Sequence, residues 1–514
     1  MNKLVDTNTA IEQINDEATV AIGGAGAGHA VPDALLKALG QRYRETGHPK
    51  KITTVHPCGI GDNDQRGLNH IAIEGLIETD FGGFWGNAPK MVKLAKENKI
   101  KGYNLPQGIL SHLMRASASK KPGVISKVGL QTFVDPRIEG GKINEITTED
   151  WVKLIQLDEE EYLFYKSFNI DVALIRGTSM DSEGNITMEE EVGTLAMFSI
   201  AQAAKTNGGI VIAQVKNLIS GHCDPGQVKV PGYLIDFVVH EPEQEMTFIS
   251  KFDPALVKRD VPYIPEEITL EGPKMVIVKR AALELRKGAF VNLGYGMSDG
   301  VPIIAQQEGL ADDITFMIEQ GASSGIPTTG LNFGAMYNPS SIVDDGYQFD
   351  FFQGGGLDIA YLGFAQIDKD GNVNSSKFGH ILTGCGGFID ISQNAKKVVF
   401  TGTFAVKSKQ EITEQGIDII DPGKFRKFVN SVEQITFSSD FARKNCQEVY
   451  YITERAVFKL ADKGIELIEL APGINLQKDV LDMMDFKPLI SPDLKEIDAG
   501  VYKNEALNLN KVLS

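Results

Sequence analysis

The chain has 514 residues, 42% of them hydrophobic and 23% charged, the balance of an ordinary folded protein with room for two or three domains. Its net charge of −17 argues against a nucleic-acid partner, because phosphate backbones are gripped by a basic footprint. No run approaches the ~18 apolar residues of a membrane span. Met1-Asn-Lys-Leu-Val-Asp-Thr7 lacks an apolar secretory core, and Cys58, Cys223, Cys385 and Cys446 form no CxxC pair. A cytoplasmic protein without membrane partner, metal or disulfide framework is expected.

Along the chain, Ala18–Pro32 reads as a strand, a glycine turn (Gly23-Gly-Ala-Gly-Ala-Gly28) and a helix opened by proline. Ala34–Tyr43 and Ala88–Asn98 carry apolar residues at helical spacing, and Ile210–Val215 and Lys397–Gly402 are short buried-strand candidates. The opening pattern recurs at Gly288–Pro302, where residue 288 matches residue 18 at a shift of 270. Asp171–Thr187 is echoed by Asp358–Asn374 at a shift of 187, and Ile200–Lys205 by Ile391–Lys396 at a shift of 191. The order is kept, so two related domains stand in tandem. The first half carries about 83 further residues (270 less 187), placed within 60–150. Alternating strands and helices predict open α/β domains with mainly parallel sheets. The expected division is residues 1–250, a Pro-rich and charged linker at 251–275, and residues 276–514, with ligands in the cleft between domains.

Glu319 ends the apolar run Ile314–Ile318 and enters a turn of small residues, Gly321-Ala-Ser-Ser-Gly325. Small residues leave space for a ligand and turn backbone N–H groups toward it. Glu319 is therefore read as a nucleophile that becomes covalently attached to its substrate. Two further glycine turns, Gly354-Gly-Gly-Leu-Asp358 and Thr383-Gly-Cys-Gly-Gly-Phe388, follow in the same half and suit an extended ligand. The Gly321–Gly325 string also matches the G-x-S-x-G elbow, but a helix must follow an elbow serine and Ile326-Pro-Thr-Thr-Gly330 forms none. The Gly23–Gly28 cluster lacks the G-x-G-x-x-G spacing of a dinucleotide site. It is either a packing turn or an anion-holding loop. Gln107, after Asn104-Leu-Pro, either donates to a carboxylate or oxyanion or serves local backbone. His56, His70, His112 and His222 have no metal-ligand spacing and are read as core or loop residues.

Longer strings add a resemblance. Gly47-His-Pro49, Val55-His-Pro57, Arg66-Gly-Leu-Asn-His70, Tyr103–Gly108, Lys127–Arg137, Gly354–Asp358, Asp370–Asn374 and Gly386–Asp390 resemble those of the family I coenzyme A transferases. Among these, the single-chain propionate and acetate CoA-transferases are most similar. The resemblance implies that Glu319, in Glu319-Gln-Gly321, carries coenzyme A as a glutamyl thioester. It further implies that Gly24, Ala25, Gly26, Ala27, Gly28, Gln107, Gly386 and Gly387 hold carboxylate or oxyanion, and that Gly354, Gly355, Gly356 and Asp358 contact CoA. Cys385 stands where proline is more usual in that family. The implied reaction moves CoA between short-chain acyl-CoA and a free short-chain carboxylate. It uses no permanently bound cofactor or metal, treats CoA as a substrate, and runs in a homo-oligomer, expected to be a tetramer. An acyl-CoA hydrolase, or a non-catalytic sensor of acyl-CoA or sugar phosphate, are the alternatives.

Overall fold

A computed structural model describes residues 3–264, 270–503 and 505–509; residues 265–269 of the expected linker lie outside them. Seven strands of the first half, β1 (Thr19–Ile22), β2 (Ile52–His56), β3 (Ile77–Gly82), β4 (Lys101–Asn104), β5 (Val172–Met180), β6 (Ile210–Leu218) and β7 (Phe237–His240), pair side by side. Their order is β7-β6-β5-β1-β2-β3-β4 and every pairing is parallel. Both faces are apolar, as a parallel sheet covered on two sides requires. Ala21, Val55, Phe81 and Ala173 face one core, whereas Val20, Ile22, Ile52 and Val172 face another. Helix α1 (Asp33–Thr46) covers the second face, burying Leu35, Leu36 and Leu39.

The second half repeats the pattern with β8 (Phe290–Leu293), β9 (Thr315–Met317), β10 (Ile359–Gly363), β11 (Lys397–Thr401) and β12 (Glu448–Ile452). They are parallel in the order β9-β8-β10-β11-β12. Strand for strand, this is β2-β1-β5-β6-β7. The shifts of 270 and 187 are thus the offsets between β1 and β8 and between β5 and β10. Strands β3 and β4 have no counterpart. Three strands, Ala456–Ala461, Gly464–Leu470 and Leu489–Glu496, extend the second sheet beyond β12.

Four more helices matter to the site: α2 (Gln107–Ala118), α3 (Met197–Thr206), α4 (Asp345–Gln353) and α5 (Phe388–Ser392). Helix α2, buried on nearly all sides, packs against α3 of its own half and against α4 and α5 of the other. The fit is close at Gly108, where a Cβ would sit 2.6 Å from Asp390 and 2.7 Å from the Phe349 ring. The expected linker is no free tether. Phe248 N–H donates to Ala27, Val261 N–H donates to Asn338, and a small core joins Met246, Ala255 and Leu256 to Val192, Ala335 and Tyr337. No helix among the described residues is long and apolar enough to cross a membrane.

Candidate active site

In a parallel sheet the loops leaving the C-terminal strand ends form the binding edge. Here that edge gathers Gly23–Gly28 after β1, Pro57–Gly61 after β2, Gly83–Gly86 after β3, Gln107 after β4 and Glu319 after β9. Glu319 is pinned from both sides. Asn292 of β8 donates to the carbonyl of Met317 at 3.0 Å, and Gln348 of α4 donates to that of Ile318 at 3.1 Å. The turn closes through Ile318 N–H to Ala322 and Gly321 N–H to Ile318, both at 3.1 Å. Only glycine serves at 321, where φ is +111° and a Cβ would lie 2.0 Å from the Val343 carbonyl.

The Glu319 side chain keeps partial access to the cleft while protein surrounds it on the remaining sides. That burial raises its carboxyl above the ordinary range, partly offset by hydrogen bonds from its own backbone N–H and the amides of Asn292 and Gln320. Within electrostatic reach lies Cys58, whose thiol is pushed up to about 12 by burial first and the Glu319 charge second. His56 supports this loop: its ring contacts the Cys58 carbonyl at 2.7 Å and Asp80 at 3.2 Å.

A second cluster abuts the first through the Pro57–Gly59 and Gly83–Phe84 turns, since a Cβ on Gly83 would strike the Pro57 carbonyl at 2.0 Å. Gly83 accepts from Gly386 N–H at 2.7 Å, Gly386 accepts from Gln107 N–H at 2.9 Å, and Asn104 Oδ1 accepts from Cys385 N–H at 2.9 Å. Gln107 Nε2 is buried with no partner, a donor left for a ligand. Helix α4 closes the cluster with Asp345, which accepts from Ser111 of α2 at 2.5 Å and is raised by burial and then by Asp344.

Gln107, Gly386 and Gly387 thus lie together and the Cys58 turn lies within electrostatic reach of Glu319, but not every expected donor is free. Ala25 N–H is spent on His29 at 2.8 Å, Gly26 N–H donates to Gly59 at 2.7 Å, and Gly386 N–H is held by Gly83. Gly354, Gly355, Gly356 and Asp358, expected to contact CoA, lie away from Glu319. Helix α4 returns the chain to the N-terminal edge, so these residues precede β10, about 15 Å of strand away from the Glu319 edge. Asp358 is consumed there by Phe290 N–H at 2.9 Å and Lys396 at 2.8 Å. Asn292, Cys58, Gln320 and Asp345 were not singled out; a polar residue inside the apolar strand Phe-Val-Asn-Leu was the one available signal for Asn292.

Two other features lie apart from this cleft. A cavity of 360 Å³ opens at the N-terminal edge of the first sheet among Thr19, Thr53, Thr79, Lys101 and Trp151. At the surface, Asp181, Glu183 and His222 approach one another, but Asp181 already accepts from Glu183, Asn185 and Cys223 N–H groups.

The family described as Coenzyme A transferase matches residues 5–241. The Acetate CoA-transferase YdiF of Escherichia coli (strain K12) is 43% identical over 98% of this chain and 96% of its own. The Caffeate CoA-transferase of Acetobacterium woodii is 42% identical over the full length of both. The crystal structure of the Acyl-CoA transferase (YdiF) apoenzyme from Escherichia coli O157:H7 superposes with a TM-score of 0.94 at 42% identity, covering 99% of this chain and 98% of that one. Its thioester complex with CoA superposes at 0.93, over 98% and 97%. The chain belongs to the coenzyme A transferase family.

Proposed function

We propose that this CoA-transferase exchanges coenzyme A between short-chain acyl-CoA and free short-chain carboxylates, with Glu319 as the carrier. One observation carries the reading: a single carboxylate at a strand end, held by two amides, opening into a cleft of glycine turns and facing a thiol too high in pKa to compete as nucleophile.

Ionised Glu319 attacks the thioester carbonyl, giving an acyl-glutamyl anhydride and CoA thiolate. The thiolate attacks the glutamyl carbonyl, releasing the donor acid and leaving glutamyl-CoA. The acceptor carboxylate attacks that thioester, regenerating an anhydride and thiolate; attack of the thiolate on the acyl carbonyl then frees Glu319 and forms the new acyl-CoA. Enzyme attachment keeps the thioester's energy from water. Each tetrahedral intermediate needs a donor for its oxyanion, and losing one such donor costs ~3–4 kcal/mol of barrier. The unpartnered Gln107 amide serves one, and Gly387 N–H, beside Gln107, suits the other. No metal is required by these steps, and CoA acts as substrate. The small side chains of Ala25, Ala27 and Ala322, buried around the cleft, limit the acyl chain to a few carbons. On this reading the enzyme works in the cytoplasm as a homo-oligomer.

Incubation with acetyl-CoA alone, followed by intact mass and peptide mapping, is expected to show CoA on Glu319. E319Q should lose adduct and exchange, by roughly 10⁴-fold or more for a removed nucleophile. Brisk exchange without any adduct at Glu319 sinks the mechanism, and release of free CoA without acceptor would favour a hydrolase.

A further inference from the structure

The cavity at the N-terminal edge of the first sheet takes no part in the exchange steps, and its lining is ordered by strand register. Thr19 of β1 pairs with Thr53 of β2, Thr53 with Thr79 of β3, and Thr79 with Lys101 of β4. Paired residues on neighbouring strands share a face and stand about 4.8 Å apart. Three hydroxyls and one ammonium thus form a floor roughly 14 Å long. Thr19 spends its backbone N–H on Asp171, but none of the three hydroxyls meets a partner among the described residues.

The wall is aromatic. Phe81 and Tyr103, two residues further along β3 and β4, stack at 4.3 Å, and Trp151 packs 4.7 Å from Phe81 and 5.3 Å from Phe168. Both polar tips in this wall are already used. Tyr103 O–H donates to the Glu149 carbonyl and Trp151 Nε1–H to the Lys166 carbonyl, each at 2.8 Å. The wall therefore offers carbon alone, and Trp151 is the one ring of the four that is not fully buried.

Charge narrows the ligand further. Lys166 Nζ lies 3.0 Å from Glu149 and 4.3 Å over the Trp151 ring, so its charge is answered. Lys101 is held more loosely: Glu78 stands 3.9 Å away, outside the cavity lining, and both side chains are 44% exposed. Such a pair holds weakly. One loosely held cation beside a row of hydroxyls suits a single carboxylate, which accepts from both at once. The 360 Å³ of space lies near the lower end for ligand pockets and accommodates about one or two rings.

We propose that this cavity is a second ligand site, which takes an aromatic monocarboxylate. The carboxylate accepts from Lys101 and the Thr79 hydroxyl, and the ring lies against Trp151. Strands β3 and β4, which supply Thr79, Phe81, Lys101 and Tyr103, have no counterpart in the second half, so the site occurs once in the chain.

Calorimetric titration of the full chain with phenylacetate is expected to show saturable binding. Cyclohexylacetate, which keeps the charge and loses the planar ring, should bind several-fold more weakly. Phenylacetamide, which keeps the ring and loses the charge, should bind roughly tenfold more weakly or worse. K101M and the isosteric T79V should each weaken phenylacetate while CoA exchange stays within a few-fold of wild type, a sign that both variants are folded. Tryptophan emission gives a second reading that needs neither variant. Trp151 is one of two tryptophans and the other, Trp85, is buried, so phenylacetate should change the emission of wild type and not that of W151F. No saturable binding, equal binding of the amide, or binding untouched by K101M overturns the assignment. Binding lost in E319Q but kept in K101M would place the acid in the catalytic cleft instead.

Discussion

At the scale of single residues, the proposed chemistry depends on how Glu319 is held. Burial favours the neutral carboxyl, whereas the Asn292 and Gln320 amides favour the carboxylate. Attack requires the ionised form, so kcat/KM should fall as pH drops through a value above the ordinary glutamate range. N292L removes a donor to the charged form and is expected to move that acid limb to higher pH. An unmoved limb, read from kcat/KM between pH 4 and 8, would show that Asn292 serves only the Met317 carbonyl. The placement of Glu319 was legible in the sequence, because an apolar run that meets a turn of small residues marks a strand end. The support from Asn292 was less so, since the Met317 carbonyl it holds comes from the neighbouring strand.

At the scale of elements, the turns that join the two halves do the positioning. Cys385 N–H donates to Asn104 Oδ1 across the cleft, and proline in its place has no N–H to give. C385P should therefore leave a buried acceptor unpaired and lower stability by ~1–3 kcal/mol in denaturant melts, while C385A, which keeps the N–H, should cost less. Asp390 gives a pH signature. Burial raises its carboxyl to about 7, despite bonds from Gly108 N–H at 3.1 Å and Gln353 at 2.8 Å. The folded state then binds the proton more tightly than the unfolded chain. Stability contributed by the neutral form is full below the ordinary Asp range and is lost as pH rises to 7, by no more than about 4 kcal/mol. D390N should flatten that slope between pH 4 and 8 in thermal melts; an unchanged slope would assign it elsewhere. Element identity was readable from periodicity: Asp33–Thr46, Ile210–Leu218 and Lys397–Thr401 lie where the apolar spacing puts them. Edge was not readable. A glycine turn looks alike at either end of a parallel strand, and only the fold shows that α4 carries Gly354–Asp358 to the edge away from Glu319.

At the scale of the whole molecule, the repeat in the sequence is a repeat of topology, and the proposed site draws residues from both copies. Glu319 and Gly386 come from one half and Gln107 and Gly26 from the other. What holds the halves is not the chain between them. Helix α2 is sandwiched against α4 and α5, Cys385 and Ile389 of the second half join the core of the first, and the interface is stitched by bonds such as Trp85 N–H to Thr383 at 2.7 Å, Phe133 N–H to Ile435 at 2.8 Å, and Gly129 N–H to Gln393 at 2.7 Å. Ile264, by contrast, is 89% exposed, so a protease site engineered between Ile264 and Leu270 interrupts no described contact of the cleft. Burial of apolar surface, not covalent linkage, then sets the association. Cleaved protein should migrate as two fragments under denaturing conditions, elute as one species under native ones, and retain most of its CoA exchange. Fragments that separate on a sizing column at micromolar concentration, or that stay together while exchange is lost, would show that the connecting chain itself holds the cleft in register.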